Sequence, residues 1–270
     1  MAKWEPVMVD GQPFTAGVVL IDKPPGISSF GIVRKIRRLL SVKKVGHAGT
    51  LDPFASGLLI VCAGRGATKH IDRFMSGRKT YRACIQLGIE TETQDPEGAV
   101  TRKMQVPLLN RDDIESCLQE FSGPQMQAPP PYSAAKHKGK PLYYYARKGV
   151  MIQKEAKPVE IYRIACIGYD QQARRIDCEI VCSRGTYIRV LAADIGRKLG
   201  CGAYLHGLRR TGSGNFTVEQ SLAGDVLDGD NGLEQLLGKM MQIDQALLCS
   251  DDEGSDCFRN DDNRQRVTDT

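Results

Sequence analysis

The stretch Gly46-His-Ala-Gly-Thr-Leu-Asp-Pro-Phe-Ala-Ser-Gly-Leu-Leu-Ile-Val-Cys-Ala63 joins a glycine-rich loop directly to an apolar run of strand length. Gly46, Gly49 and Gly57 allow backbone turns and the close approach of a ligand, while Pro53 stiffens the chain just after Asp52. Leu58 to Ala63 reads as a buried strand that anchors the far side of the loop. A carboxylate on such a loop is held in a fixed direction. Taken alone, Asp before Pro is a common turn or capping element, so the residue type does not by itself assign a function.

On the N-terminal side, residues 1–16 are weakly patterned and read as a loose lead-in, followed by a buried strand from Gly17 to Ile21. Asp22-Lys-Pro-Pro-Gly-Ile-Ser-Ser29 cannot extend that strand, because two prolines lack backbone donors; Ser28 or Ser29 then caps a helix. Ile32, Val33, Ile36, Leu39 and Leu40 recur at helical spacing, with Arg34, Lys35, Arg37 and Arg38 on the other side. That basic face is either simply solvated or turned toward RNA.

On the C-terminal side, Tyr81 to Gly88 alternates as a half-buried strand does, and Glu90 to Val100 reads as an acidic surface hairpin or loop. Arg111 to Phe121 reads as a short helix. The proline-rich Gln127 to Ser133 leads into Lys136-His-Lys-Gly-Lys140 and three tyrosines at 143–145. Such a mixture suits a nucleic-acid clamp, or an irregular loop with a tyrosine helix on the core. Val159–Tyr169 and Arg175–Cys182 read as a hairpin, Ser183–Gly185 as a turn, Tyr187–Leu199 as a helix stopped by Gly200, and Leu233–Leu248 as one more helix. This irregular order predicts an α+β (mixed α/β) fold with a central, largely antiparallel sheet flanked by helices.

With 270 residues the chain buries a full core without staples, and its nine cysteines show no C-x-x-C pair, which fits reduced thiols and a cytoplasmic location. No signal-peptide pattern begins the sequence, and no apolar run approaches the ~20 residues of a membrane span. The net charge of +5 hides a split. From Leu248 onward seven acids face three bases, net −4, leaving residues 1–247 with 34 bases against 25 acids, net +9. The tail reads as disordered.

No phosphate-loop, H-E-x-x-H or G-x-S-x-G pattern is present, and four scattered histidines do not suggest a metal site. The loop around Asp52, Asp22–Ser29 before it, Arg78-Lys-Thr-Tyr-Arg-Ala83 after it and Cys182-Ser-Arg-Gly-Thr-Tyr-Ile-Arg-Val-Leu-Ala-Ala-Asp-Ile-Gly196 together resemble, in order and spacing, the TruB family of tRNA pseudouridine synthases. The resemblance covers about residues 17–247, which makes that span a catalytic domain. It implies isomerisation of uridine-55 in the T loop of tRNA, with no cofactor, no metal and no obligate protein partner, by a monomer. A tRNA-folding chaperone on the same fold and a synthase for another RNA are the alternatives.

The resemblance makes Asp52 the catalytic aspartate and Arg189 its ion-pair partner. Tyr81 would stack on the target base and serve proton transfer at C5. Tyr187 and Leu208 would line the uracil pocket, and His47 would fill the space left when the target nucleotide turns out. Lys23 would also contact substrate; Arg78, Lys79, Lys136, Lys138 and Arg184 would touch phosphates, on the catalytic body and on an inserted loop that clamps the T arm. Whether Asp52 attacks C1′, attacks C6 or removes a proton at C2′ stays open. Many relatives end in a small PUA domain, for which the ~20 residues after the last predicted helix are too few.

Overall fold

The computed structural model describes residues 7–9 and 11–251; of the tail expected to be disordered from Leu248, residues 248–251 instead end a helix, and the rest falls outside the described residues. The first half contains β1 (Gly17–Lys23), α1 (Ser29–Leu39), β2 (Val45–His47), β3 (Ser56–Ala63), β4 (Lys79–Leu87), β5 (Ile89–Thr91), β6 (Val100–Lys103), α2 (Arg111–Gln119) and β7 (Gly123–Gln127). Then come α3 (Leu142–Ala146), β8 (Lys157–Asp170), β9 (Arg175–Cys182), α4 (Ile188–Lys198), β10 (Ala203–Ser213), β11 (Phe216–Thr217), β12 (Leu222–Ala223), α5 (Gly232–Gly238) and α6 (Ile243–Asp251). Ten strands make one sheet in the order β12-β1-β3-β10-β4-β9-β8-β7, with β2 beside β3 and β11 beside β10. Pairing is antiparallel except where β10 meets β3 and β12 meets β1. The fold is therefore mixed α/β with helices on a largely antiparallel sheet. Among the described residues no helix is long and apolar enough to cross a membrane.

The strand patterns follow from what covers each face. β1 and β3 are nearly continuous apolar runs because both faces are buried. Ile32, Val33 and Ile36 of α1 pack on Val19, Ile21, Leu59 and Val61, while Val18, Leu20, Leu58 and Ile60 meet Phe74, Phe216 and Met241 on the other side. β4 alternates because α2 and α4 cover one face only: Tyr81, Ala83 and Ile85 are buried and Arg82 is exposed. Each fully buried aliphatic or aromatic side chain contributes about 1.5–3 kcal/mol. Ser28 caps α1, its side chain accepting from Gly31 N at 3.0 Å.

Three expectations are corrected. β1 runs on through Asp22 and Lys23, which pair with Leu58 and Gly57, so the strand stops at the first proline rather than at Ile21. Leu233–Leu248 is two helices, α5 and α6, because the backbone between them is used elsewhere: Val18 N donates to Met241 O at 3.0 Å and Met241 N to Val18 O at 2.8 Å. The segment from Glu90 to Val100 includes one strand of the hairpin β5/β6 but is not all surface, since Asp95 in its connection is only 3% exposed.

Candidate active site

The loop between β2 and β3 is tied down at several points around Asp52. Ser29, at the start of α1, donates from Oγ to Leu51 O at 2.9 Å and accepts from Leu51 N at 2.8 Å. Arg210, 1% exposed on β10, donates from Nε to Leu58 O at 2.7 Å and from Nη2 to Gly49 O at 3.1 Å, which closes the neck of the loop. Gly57 has φ +102°, and a Cβ there would lie 2.2 Å from Arg210 O, so only glycine fits this crossing.

Asp52 faces a cavity of about 330 Å³ that is also lined by Tyr81, Tyr187, Leu208, Arg189 and Arg210. Arg189, brought in by the first turn of α4, is nearly enclosed and engages all three guanidinium nitrogens. Its Nε pairs with Asp52 Oδ2 at 2.9 Å, Nη1 with Asp95 Oδ2 at 3.1 Å and Thr93 O at 2.9 Å, and Nη2 donates to Tyr132 O at 2.9 Å. Asp95 is held in turn by Thr93 Oγ1 and by Glu97 N at 3.0 Å. A single cation thus locks the half-buried Asp52 to the buried Asp95 and to the Tyr132 region of the inserted segment.

The electrostatics favour a reactive carboxylate. Burial pushes the Asp52 carboxyl above its ordinary value; Arg189 opposes the rise and Asp95 adds to it. Once ionised, Asp52 is a poorly hydrated anion aimed by its partner, suited to act as nucleophile or base. Burial likewise raises the Tyr81 phenol, against the pull of the nearby Arg210 guanidinium, so a neutral ring and hydroxyl line the cavity. Tyr187 is fixed through its backbone: its N donates to Gln127 Oε1 at 2.7 Å and Gln127 Nε2 donates to Tyr187 O at 3.1 Å.

The other expected residues divide. Arg184 is exposed and lines the cavity, whereas Lys136 and Lys138 are exposed on the inserted segment and are not lining residues. Arg78 is exposed, its guanidinium 4.2 Å from the Tyr162 ring centroid. His47 lies on β2 outside the lining, with Nδ1 buried and without a hydrogen-bond partner among the described residues; burial and Arg210 lower its pKa, which favours the neutral ring. Two lysines are not surface cations at all. Lys23 is fully buried and donates to Pro24 O, Ile27 O and Pro53 O at 2.9, 2.7 and 3.2 Å, and burial brings it down to about 8. Lys79 reaches inward to Met75 O at 3.0 Å and Gly77 O at 2.7 Å and is also lowered to about 8 by burial. Both hold backbone carbonyls, and Lys79 also lines the cavity beside Asp52.

Asp95, Arg210, Ser29 and Gln127 escape a sequence reading. Arg210 leaves one trace, a second arginine at an inward-facing position of a strand; the others look like ordinary loop or cap residues. Among the described residues, no three His, Cys, Asp or Glu side chains converge as a metal-binding group.

Comparison with known proteins bears on this arrangement. Residues 37–188 match the model of the TruB family pseudouridylate synthase N-terminal domain, and residues 189–248 match that of the tRNA pseudouridylate synthase B C-terminal domain. The chain is 52% identical over 241 residues to a tRNA pseudouridine synthase B of Desulfotalea psychrophila, covering 88% of this chain and 98% of that protein. It is 44% identical to one of Hydrogenovibrio crunogenus, covering 76% of this chain and 66% of the relative. Among solved structures, Cbf5 in a Cbf5-Nop10-Gar1 complex superposes with a TM-score of 0.66 at 28% identity, covering 87% of this chain and 62% of the other.

Proposed function

Because the chain belongs to the TruB family of pseudouridylate synthases, we propose that it converts uridine-55 in the T loop of tRNA to pseudouridine, with Asp52 as the catalytic carboxylate. The observation that carries this reading is the Asp52–Arg189 pair at 2.9 Å, set beside Tyr81 and Tyr187 in one cavity. The relatives named as tRNA pseudouridine synthases support the RNA class.

The isomerisation breaks the bond from N1 to C1′, turns the uracil and joins C5 to C1′, and the hydrogen at C5 leaves as a proton. Nothing is oxidised or reduced. Asp52 takes part by covalent attack or by proton removal at C2′, and in each route Arg189 keeps the carboxylate ionised and aimed. Tyr81 stacks on the extruded base and passes on the C5 proton, with Arg210 beside it to stabilise phenolate character. Extrusion costs a few kcal/mol, of which stacking offsets about 1–3. The exposed cations Arg78, Lys136, Lys138 and Arg184 hold phosphates, and His47 occupies the space that the base leaves. On this reading residues 17–247 form the catalytic domain, which acts as a monomer on the T arm without a cofactor or protein partner.

The test is tritium release from a T-arm stem-loop carrying 5-tritiated uridine at the target. Wild-type protein releases the label and Asp52→Asn does not; pseudouridine formed by the variant would remove Asp52 from its role.

A further inference from the structure

Ser133 belongs to the inserted segment between β7 and β8 and lines the same cavity as Asp52, yet it is only 4% exposed. Its Oγ is buried and has no hydrogen-bond partner among the described residues. The hydroxyl is nevertheless well placed, because the backbone on both sides is committed. Tyr132 O accepts from Arg189 Nη2 at 2.9 Å, and Ser133 O accepts from Tyr143 N at 3.1 Å.

A buried hydroxyl without a partner opposes folding, and alanine at this position would remove that cost without losing any bond. A group that enters the cavity can satisfy Oγ. Neighbouring cations are largely engaged: Arg189 gives four of its five N–H donors to Asp52, Asp95 and two carbonyls, and Lys79, which also lines the cavity, donates to Met75 O and Gly77 O. Leu208 and Ile188 offer apolar surface and Tyr81 and Tyr187 offer ring surface. A uracil ring presents two carbonyl oxygens as acceptors, and a serine hydroxyl can donate to one of them.

We propose that Ser133 is a substrate-binding residue whose hydroxyl donates to a carbonyl oxygen of the extruded uracil, so that the inserted segment completes the base pocket; this rests on the pseudouridine-synthase reading. Its energetic signature has two opposite signs. Free protein gains or keeps stability without the hydroxyl, while uridine recognition weakens.

The experiment compares wild type with Ser133→Ala on two T-arm stem-loops, one with uridine and one abasic at the target. Expected are a thermal midpoint equal to or above wild type, a kcat/KM lower by about ten- to a hundred-fold, and an unchanged Kd for the abasic RNA. In the Asp52→Asn background, the preference for uridine over abasic RNA falls by a similar factor. Replacing one uracil carbonyl by a thiocarbonyl, a weaker acceptor, shrinks the Ser133→Ala effect for the contacted oxygen only. The proposal is overturned if kcat/KM and the uridine preference both stay within two-fold of wild type. It is equally overturned if Ser133→Ala lowers the midpoint and weakens abasic binding alike, the pattern of a residue that only shapes the segment. The binding comparison reads Ser133 whether or not the stem-loop is turned over, whereas absence of product with wild type counts against the synthase reading.

Discussion

Replacing Arg189 with alanine removes more than a partner for Asp52. The side chain is 4% exposed, and its loss leaves Asp95, equally enclosed, without its cation and the carbonyls of Thr93 and Tyr132 without their donor. Breaking a buried ion pair from one side costs about 3–5 kcal/mol because a charge is left uncompensated. In a domain of this size each kcal/mol moves the midpoint by about 2–4 °C, so Arg189→Ala should lower Tm by roughly 6–20 °C. Most of that cost is Asp95's charge, which gives the prediction its sharper form. Adding Asp95→Asn to Arg189→Ala should restore about 1–3 kcal/mol of stability, even though Asp95→Asn alone in wild type destabilises. Urea denaturation of the four proteins closes the cycle. A loss under 1 kcal/mol for Arg189→Ala, or a double variant whose losses simply add, would refute the picture of one cation shared between a buried and a half-buried carboxylate.

Asp52→Asn separates chemistry from stability: its raised carboxyl pKa means that folding disfavours the ionised form, so the variant should keep or slightly raise Tm at neutral pH while losing pseudouridine formation. In wild type, kcat/KM should fall with decreasing pH through an apparent pKa above the ordinary carboxylate value, read from tritium-release rates across a pH series. Gly57→Ala forces a side chain into a positive φ and onto the Arg210 backbone, for an expected loss of about 2–5 kcal/mol in thermal or urea unfolding. Lys23, lowered from 10.5 to about 8, releases its proton in the folded state before it would in the unfolded chain. Its burial penalty is thus fully present below pH 8 and vanishes by about pH 10.5. The stability of wild type relative to Lys23→Met should therefore rise by roughly 3 kcal/mol across that window, and a flat difference would show that Lys23 titrates normally.

Local pattern made much of the architecture legible. The apolar run Leu58–Ala63, the alternation of Tyr81–Leu87, the Ser28 cap and the periodicity of α1 and α4 are properties of short segments, and each forms the element it suggests. The errors arise where a distant segment competes for the backbone. Val18 takes the hydrogen bonds of Met241 and breaks the last predicted helix in two. Leu58 and Gly57 carry β1 two residues beyond Ile21.

The same division holds at the site. The sequence itself determined a rigid, glycine-bounded loop carrying Asp52, and four ordered motifs pointed to a family and to Arg189. Only the tertiary structure decided what surrounds that carboxylate, because its neighbours come from four separated stretches of chain. Asp95 and Ser133 reach it from loops, Arg210 from the middle of a strand, and Ser29 from a helix start. It also decided the direction of two lysines. In one dimension Lys23 and Lys79 are cations beside turns; folded, they turn inward and donate to backbone carbonyl oxygens. Charge can be counted along a chain, but whether it faces a ligand or a carbonyl depends on packing between segments that the sequence does not order in space.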